Sequence, residues 1–228
     1  MIRARPPAQR AARALVFDFD GLILDTETSE YETVREVYEA HGVTLDLATW
    51  QRRIGTHSRH WLDELEELAG PVADREGVKA DRVRRHHELI AAEVALPGVE
   101  ALVREAAAAG LRLGVASSSQ DTWVGPHLER LGLRDHFTCL SCRTDTVRAK
   151  PAPDVYLAAC ERLEVDPAQA IAIEDSPHGV AAAKAAGLWC VAVPNALTAS
   201  LDFTDADLVV ASLADLTLDD LLALPLRP

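Results

Sequence analysis

Lysine is nearly missing from this chain of 228 residues: Lys79, Lys150 and Lys184 are the only three, and arginine supplies almost all the remaining positive charge. Basic residues as a whole are outnumbered, giving a formal net charge of -13. That deficit argues against nucleic acid as a partner, because a phosphate backbone requires a basic surface. It leaves room for a small phosphorylated molecule, which needs only a local positive pocket, so each lysine is worth locating. Long apolar runs are absent as well. No segment approaches the roughly 20 uninterrupted apolar residues that cross a bilayer, so no membrane partner is expected. The start, MIRARPPAQRAAR, lacks the apolar core of a secretory signal. It is basic, holds two prolines, and reads as a flexible tail over residues 1–13 in preference to an organellar transit peptide. The four cysteines include a CxxC, Cys139 and Cys142, but no second pair or matching histidines completes a zinc site. A redox CxxC opens a helix, whereas this one lies in a strand-like run. Ordinary thiols in a reducing cytoplasm are the expectation, and nothing in the acidic balance requires more than a monomer.

What the chain does contain is a regular alternation. Residues 14–24 read as strand then turn. Tyr31, Val34 and Tyr38 recur at helical spacing before a stop at Gly42, and amphipathic helices are expected over Trp61–Leu68 and Asp81–Ala95. From residue 98 onward strand and helix alternate: LRLGVAS, FTCLSC, AIAI, LWCVAV and DLVVA are the strand candidates. Such alternation means a parallel sheet covered on both faces. The fold class is therefore α/β, a doubly wound parallel sheet. Its core is built from 14–25 and 97–228, and an all-helical cap of 26–96 is inserted after the first strand.

In such sheets ligands bind beyond the carboxyl ends of the strands. Those ends carry Asp18 and Asp20, then Ser117 with Ser118, then Glu174 and Asp175, and Lys150 follows shortly after another strand. Buried charge is costly unless paired or metal-bound. A carboxylate cluster at one edge is stable around a hard divalent cation such as Mg²⁺, which prefers oxygen ligands. Gly21 lets the chain turn tightly after Asp20.

The motifs DFDGLILDTE (18–27), GVASSS with Ser117, AKPAPD with Lys150 and IEDSPHG with Glu174 and Asp175 occur together in this order. In these the chain resembles the haloacid dehalogenase-like superfamily, in the subfamily with a helical cap inserted after the first motif, over about 14–212. The resemblance implies a Rossmann-like core and roles for the matching residues. Asp18 is the expected nucleophile, forming an aspartyl-phosphate, and Asp20 the acid then base. Mg²⁺ is expected on Asp18, the Asp20 carbonyl and Asp175, with Glu174 acting through water. Ser117, Ser118, Lys150 and the backbone N–H groups near Phe19 and Gly21 are expected to bind the phosphoryl oxygens.

Asp20 favours phosphoryl transfer over dehalogenation. The only cap lysine, Lys79, lies outside the first cap helix, which argues against a Schiff-base phosphonatase. A β-phosphoglucomutase-like activity is the alternative. Glu30 stands where the resemblance leads one to expect a histidine, so a phosphatase acting on sugar or nucleoside monophosphates is preferred. A receiver domain fails on motif order and size. An inactive phosphate-binding protein is the alternative of another class, although such a protein is expected to have lost a core group and all are present here. Specificity is expected from the cap: Thr26, Glu27 and Glu30, and the loop carrying Gly55, Thr56 and His57, with Arg53 and Arg59 nearby. Trp61 reads as cap core, Lys184 as solvated helix surface, and His178 as a weak candidate for substrate contact.

Overall fold

Among the described residues, six strands form one sheet in the order β3-β2-β1-β4-β5-β6. They are β1 (Ala14–Phe17), β2 (Arg112–Ser117), β3 (Cys139–Cys142), β4 (Ala170–Glu174), β5 (Trp189–Ala192) and β6 (Leu208–Val209), and every pairing is parallel. The structure, a computed structural model, describes residues 12–52, 54, 60–144 and 147–225. The ladder begins before Ala14: the Arg13 N–H donates to the Gln169 carbonyl at 2.8 Å, and the Arg13 carbonyl accepts from Arg112 at 3.0 Å. Residues 1–11 of the expected tail lie outside the described residues.

Alternation along the strands sorts side chains to two faces. Leu15 and Phe17 of β1, Leu113 and Val115 of β2, and Ile171 and Ile173 of β4 face one apolar cluster. Helices α5 (Val99–Ala108), α6 (Asp121–Arg130) and α9 (Leu218–Leu222) complete it. Ala14, Val16, Ala170 and Ala172 face the other, closed by α7 (Asp154–Arg162) and α8 (Pro177–Ala185). Small residues on that second face let the helices approach closely, and buried apolar area on both faces supplies the main stabilisation.

The residues between β1 and α5 form α1 (Thr26–Ala40), α2 (Leu47–Gln51), α3 (Trp61–Ala69) and α4 (Arg75–Ala91). Val34, Tyr38, Trp50, Trp61, Leu62 and Leu65 make a third cluster, and the Tyr38 hydroxyl donates to the Trp61 carbonyl at 2.9 Å. Trp61 thus belongs to this core, as expected, and it also borders the cleft described below. Helix α4 starts and ends earlier than its sequence pattern suggests. Asp74 caps it by accepting from the Gly77 N–H at 2.9 Å. At the other end Pro97 disfavours helix at the residue before it. Ala95 instead bridges Leu24, and the Leu96 N–H donates to the Ile23 carbonyl at 2.9 Å. The loop after β5 also reaches the helical layer: Leu197 joins its cluster, and Gln51 Nε2 donates to the Leu197 carbonyl at 2.7 Å.

Lys184 is not the solvated surface residue its place in α8 suggested. It forms an ion pair with Asp207, whose carboxylate also accepts from the Cys190 N–H, pinning β5 to the start of β6. The four cysteines are free and buried, and burial pushes the Cys142 thiol up to about 12, so it is a packing residue. Among the described residues no helix is long and apolar enough to cross a membrane.

Candidate active site

The parallel register explains why two carboxylates meet. Phe17 pairs with Ile173, and one step further come Asp18 and Glu174. The Asp18 N–H extends the ladder by donating to the Ile173 carbonyl at 2.9 Å. Lys150 inserts between the two, with Nζ 2.7 Å from Asp18 Oδ1 and 2.5 Å from Glu174 Oε1. Asp175 follows on the same strand end. The Ser118 hydroxyl accepts from the Lys150 N–H at 3.2 Å, tying the lysine to the end of β2.

After Asp18 the chain turns back on itself. The Ile23 N–H donates to the Phe19 carbonyl at 2.9 Å and the Gly21 N–H to the Leu24 carbonyl at 2.8 Å. Gly21 has φ +79°, and a Cβ there would lie 2.3 Å from Asp175 Oδ2. Only glycine satisfies both demands at this point. A Cβ at Gly179 would likewise fall 1.9 Å from Glu174 Oε2, so the first turn of α8 is bare where the carboxylate enters.

Asp18, Glu174 and Asp175 are 6%, 0% and 1% exposed. Burial, reinforced by Glu174 and opposed by Lys150, raises Asp18 from 3.8 to about 7. Burial also raises Asp175 well above the carboxylate range, with Asp18 and Glu174 adding to it. Burial alone lowers a lysine, but the Asp18 and Glu174 carboxylates outweigh it and hold Lys150 above its ordinary value. Three buried carboxylates therefore share one ammonium. Ligand oxygens of the three lie within 4.8 Å of one another, a hard-oxygen donor set that fits Mg²⁺.

Asp20 lies outside that cluster. Its Oδ1 accepts from Thr26 Oγ1 and Trp123 Nε1, both at 2.9 Å, and its Oδ2 from Ser119 Oγ at 2.6 Å and Ser117 Oγ at 3.3 Å. Both aspartates border a cleft of about 610 Å³ between the strand ends and the helices α1–α4.

Of the residues singled out in the sequence, Asp18, Asp20, Thr26, Glu27, Glu30, Trp61, Ser118, Lys150 and Asp175 line this cleft. Phe19, Ser117 and Glu174 are wholly buried behind it. Thr26 uses its hydroxyl on Asp20. Burial, then Glu30 and Asp20, raise the Glu27 carboxyl well above its usual range. Glu30 Oε1 stands 3.5 Å from Arg82 Nη1. Gly55, Thr56 and His57, with Arg53 and Arg59, lie outside the described residues. Lys79 and His178 are not among the lining residues; Lys79 pairs with Glu76 at 2.9 Å.

Besides Ser119, which follows the expected Ser117 and Ser118, several contributors were missed in the sequence. Asn195 Nδ2 donates to Asp175 Oδ2 at 2.7 Å and to the Gly21 carbonyl at 3.2 Å. It follows β5, so the rule about strand ends would have found it. The Tyr156 hydroxyl donates to Glu174 Oε1 at 2.5 Å. Trp123 binds Asp20, and His86 from α4 stacks on Trp123. These three sit in ordinary helical patterns with nothing local to mark them.

A doubly wound sheet with a buried carboxylate cluster and one lysine at its strand ends defines a class of acidic, phosphoryl-handling enzymes. The chain belongs to the haloacid dehalogenase-like hydrolases, whose family model matches residues 12–187. YhcW of Bacillus subtilis (strain 168), a phosphatase by name, is 44% identical over 207 residues, covering 90% of this chain and 94% of that protein. The β-phosphoglucomutase of the same organism is 30% identical over 215 residues, covering 91% and 92%. A solved structure of CbbY from Rhodobacter sphaeroides in complex with xylulose-(1,5)bisphosphate superposes with TM-score 0.76 at 28% identity, covering 93% of this chain and 100% of that one.

Proposed function

We propose that this enzyme is a Mg²⁺-dependent phosphatase that hydrolyses a small phosphate monoester, of sugar phosphate or nucleoside monophosphate type, through an aspartyl-phosphate. The observation that carries the reading is Lys150, a buried ammonium held between Asp18 and Glu174 on the wall of the cleft. Such a lysine offsets the repulsion between an anionic phosphoryl group and the carboxylates that must receive it.

Lys150 and the Phe19 N–H, at 2.7 Å, both contact Asp18 Oδ1, which leaves Oδ2 to attack phosphorus. The P–O bond to the alcohol breaks as the Asp18–phosphorus bond forms, and Asp20 gives its proton to the leaving oxygen. Water then attacks the same phosphorus, Asp20 takes back a proton, and Asp18 is released with inorganic phosphate. Ser117, Ser118 and Lys150 orient the phosphoryl oxygens; the Phe19 and Gly21 N–H groups, expected to assist, are instead engaged by Asp18 Oδ1 and by the Leu24 carbonyl. Asp18, Asp175 and the Asp20 carbonyl would hold Mg²⁺, with Glu174 acting through a water, and the cation would supply positive charge for the phosphoryl oxygens. Helices α1–α4 act as the cap, and Glu27, Glu30 and Arg82 on its cleft wall suit a hydroxylated leaving group. We place the reaction in the cytoplasm and the working unit as a monomer.

Incubation with Mg²⁺ and a panel of sugar phosphates, nucleoside monophosphates and β-glucose 1-phosphate, with Asp18→Asn as control, tests this. Phosphate release from a monoester that disappears in Asp18→Asn is expected. Glucose 6-phosphate formed without free phosphate identifies a mutase and overturns the reading.

The metal site predicts its own pH dependence. An acid whose pKa is raised on folding stabilises the fold below its unfolded value and loses that contribution as pH rises through the folded one. For Asp18 the window runs from 3.8 to about 7. In EDTA the melting temperature therefore carries a penalty that grows across this window, and Mg²⁺ relieves it. The Mg²⁺-induced rise in Tm is expected to be several-fold larger at pH 8 than at pH 5. A rise that is equal or larger at pH 5 counts against metal binding at these carboxylates.

A further inference from the structure

Asp20 is a crowded group in the cleft. A carboxylate offers about four lone-pair positions, and four side chains address those of Asp20: Thr26 and Trp123 on Oδ1, Ser117 and Ser119 on Oδ2. Three of the four are hydroxyls, which rotate and accept as readily as they donate. The indole N–H only donates, from a rigid ring. While Trp123 holds Oδ1, that oxygen remains an acceptor. A proton carried by Asp20 then resides on Oδ2, where the Ser117 and Ser119 hydroxyls can turn to receive it. Oδ2 is also the oxygen on the side of the β2 end, where the phosphoryl-binding serines stand.

The indole is itself fastened. His86 lies against it at 5.6 Å between ring centroids and 14° between planes, and His127 meets its edge at 4.5 Å and 71°. His86 Nε2 is 3.3 Å from the Thr26 carbonyl. A carbonyl only accepts, so Nε2 carries the hydrogen. The Thr26 hydroxyl returns to Asp20 Oδ1, closing a circuit of Asp20, Trp123, His86 and Thr26. Burial lowers His86 to about 4, which keeps its ring neutral around pH 7.

We propose that Trp123 is a positioning residue for proton transfer by Asp20: its N–H holds Oδ1, assigns the transferable proton to Oδ2, and depends on His86 and Thr26 for its orientation. The proposal rests on the acid/base reading of Asp20, and the test separates the two. The measurement is kcat/KM, which reports the first phosphoryl transfer, on phenyl phosphate and on 4-nitrophenyl phosphate. The nitrophenolate leaves as a stable anion and needs a proton less. Trp123→Phe keeps the ring and removes the N–H. It is expected to lower the phenyl-to-nitrophenyl ratio of kcat/KM by about 10-fold, part of the 10²- to 10⁴-fold typical of general acid catalysis. Asp20→Asn lowers the ratio further. His86→Phe keeps the stack and removes the bond to Thr26, and gives a smaller fall of about 3-fold. If Asp20→Asn splits the two esters and Trp123→Phe depresses both equally, or neither, the role of Trp123 is overturned while that of Asp20 stands. If Asp20→Asn splits nothing, the acid/base reading fails and takes this inference with it. Should Trp123→Phe not fold, an unchanged ratio in His86→Phe overturns the circuit.

Discussion

Asp18→Asn lowers turnover by about 10⁴-fold or more, a loss typical of removing an enzyme's nucleophile, and at the same time makes the metal-free protein more stable. The two effects share one cause. Asp18 is buried beside Glu174 and Asp175, and folding raises it from 3.8 to about 7. Above that pH the ionised form is held in a site that disfavours it. The amide has nearly the shape of the protonated acid, so the variant behaves as if the penalty were removed. The expected gain in EDTA at pH 8 is on the order of 2 to 4 kcal/mol, from the size of the shift. It shrinks as pH falls through the window and vanishes well below 3.8, where the parent carboxyl is protonated in both states. Denaturant unfolding across this range, alongside phosphate release, checks both halves. A variant that is inactive and also less stable at pH 8 would mean that the pairing with Lys150 outweighs the repulsion among the carboxylates.

Lys150→Met is the complementary experiment, and its sign is opposite. The ammonium is 3% exposed and lies between two carboxylates, with a third, Asp175, close by. Exchanging a whole buried ion pair for apolar groups is often neutral, but removing one partner leaves uncompensated charge and costs about 3 to 5 kcal/mol. Here the methionine fills the space of the lysine stem, so the loss reports charge more than volume. In EDTA at pH 8 the variant is expected to lose that amount of stability along with nearly all activity. The deficit shrinks at pH 5, because the carboxylates left behind take up protons there. Mg²⁺ recovers part of it at pH 8, since the cation occupies the same negative field. A variant as stable as the parent in EDTA at pH 8 would show that the carboxylates already share protons without the lysine, and would weaken the case for Lys150 as their counter-charge.

The residues that meet at the strand ends differ sharply in how far they could be read beforehand. Asp18 and Asp20 interrupt an apolar run, and Glu174 and Asp175 end another. Polar groups placed where a buried strand stops are visible in one dimension, and a parallel sheet brings its strand ends to one edge. Lys150 was marked by rarity, one of three lysines in the chain. Lys184 shared that mark, yet it proved to be an anchor for Asp207 at the start of β6, because scarcity does not say what a side chain meets. The end of α4 was misplaced for a related reason: its periodicity runs on, but pairing of Ala95 with Leu24 is a long-range contact that outweighs local preference.

By itself, then, the sequence determined the doubly wound α/β class, the helical insertion after the first strand, the family, and the acidic and basic groups of the core motifs. Each of these is written in local patterns of period, spacing and residue type. Only the tertiary structure decided what surrounds those groups. Trp123 and Asp20 are separated by 103 residues, and Asn195 and Asp175 by 20, with different secondary elements carrying each. A tryptophan in a helix, a tyrosine in an apolar stripe or an asparagine in a loop has many ordinary uses. The direction in which each hydrogen bond points is fixed by how helices and loops pack on the sheet, and that packing is a property of the whole chain.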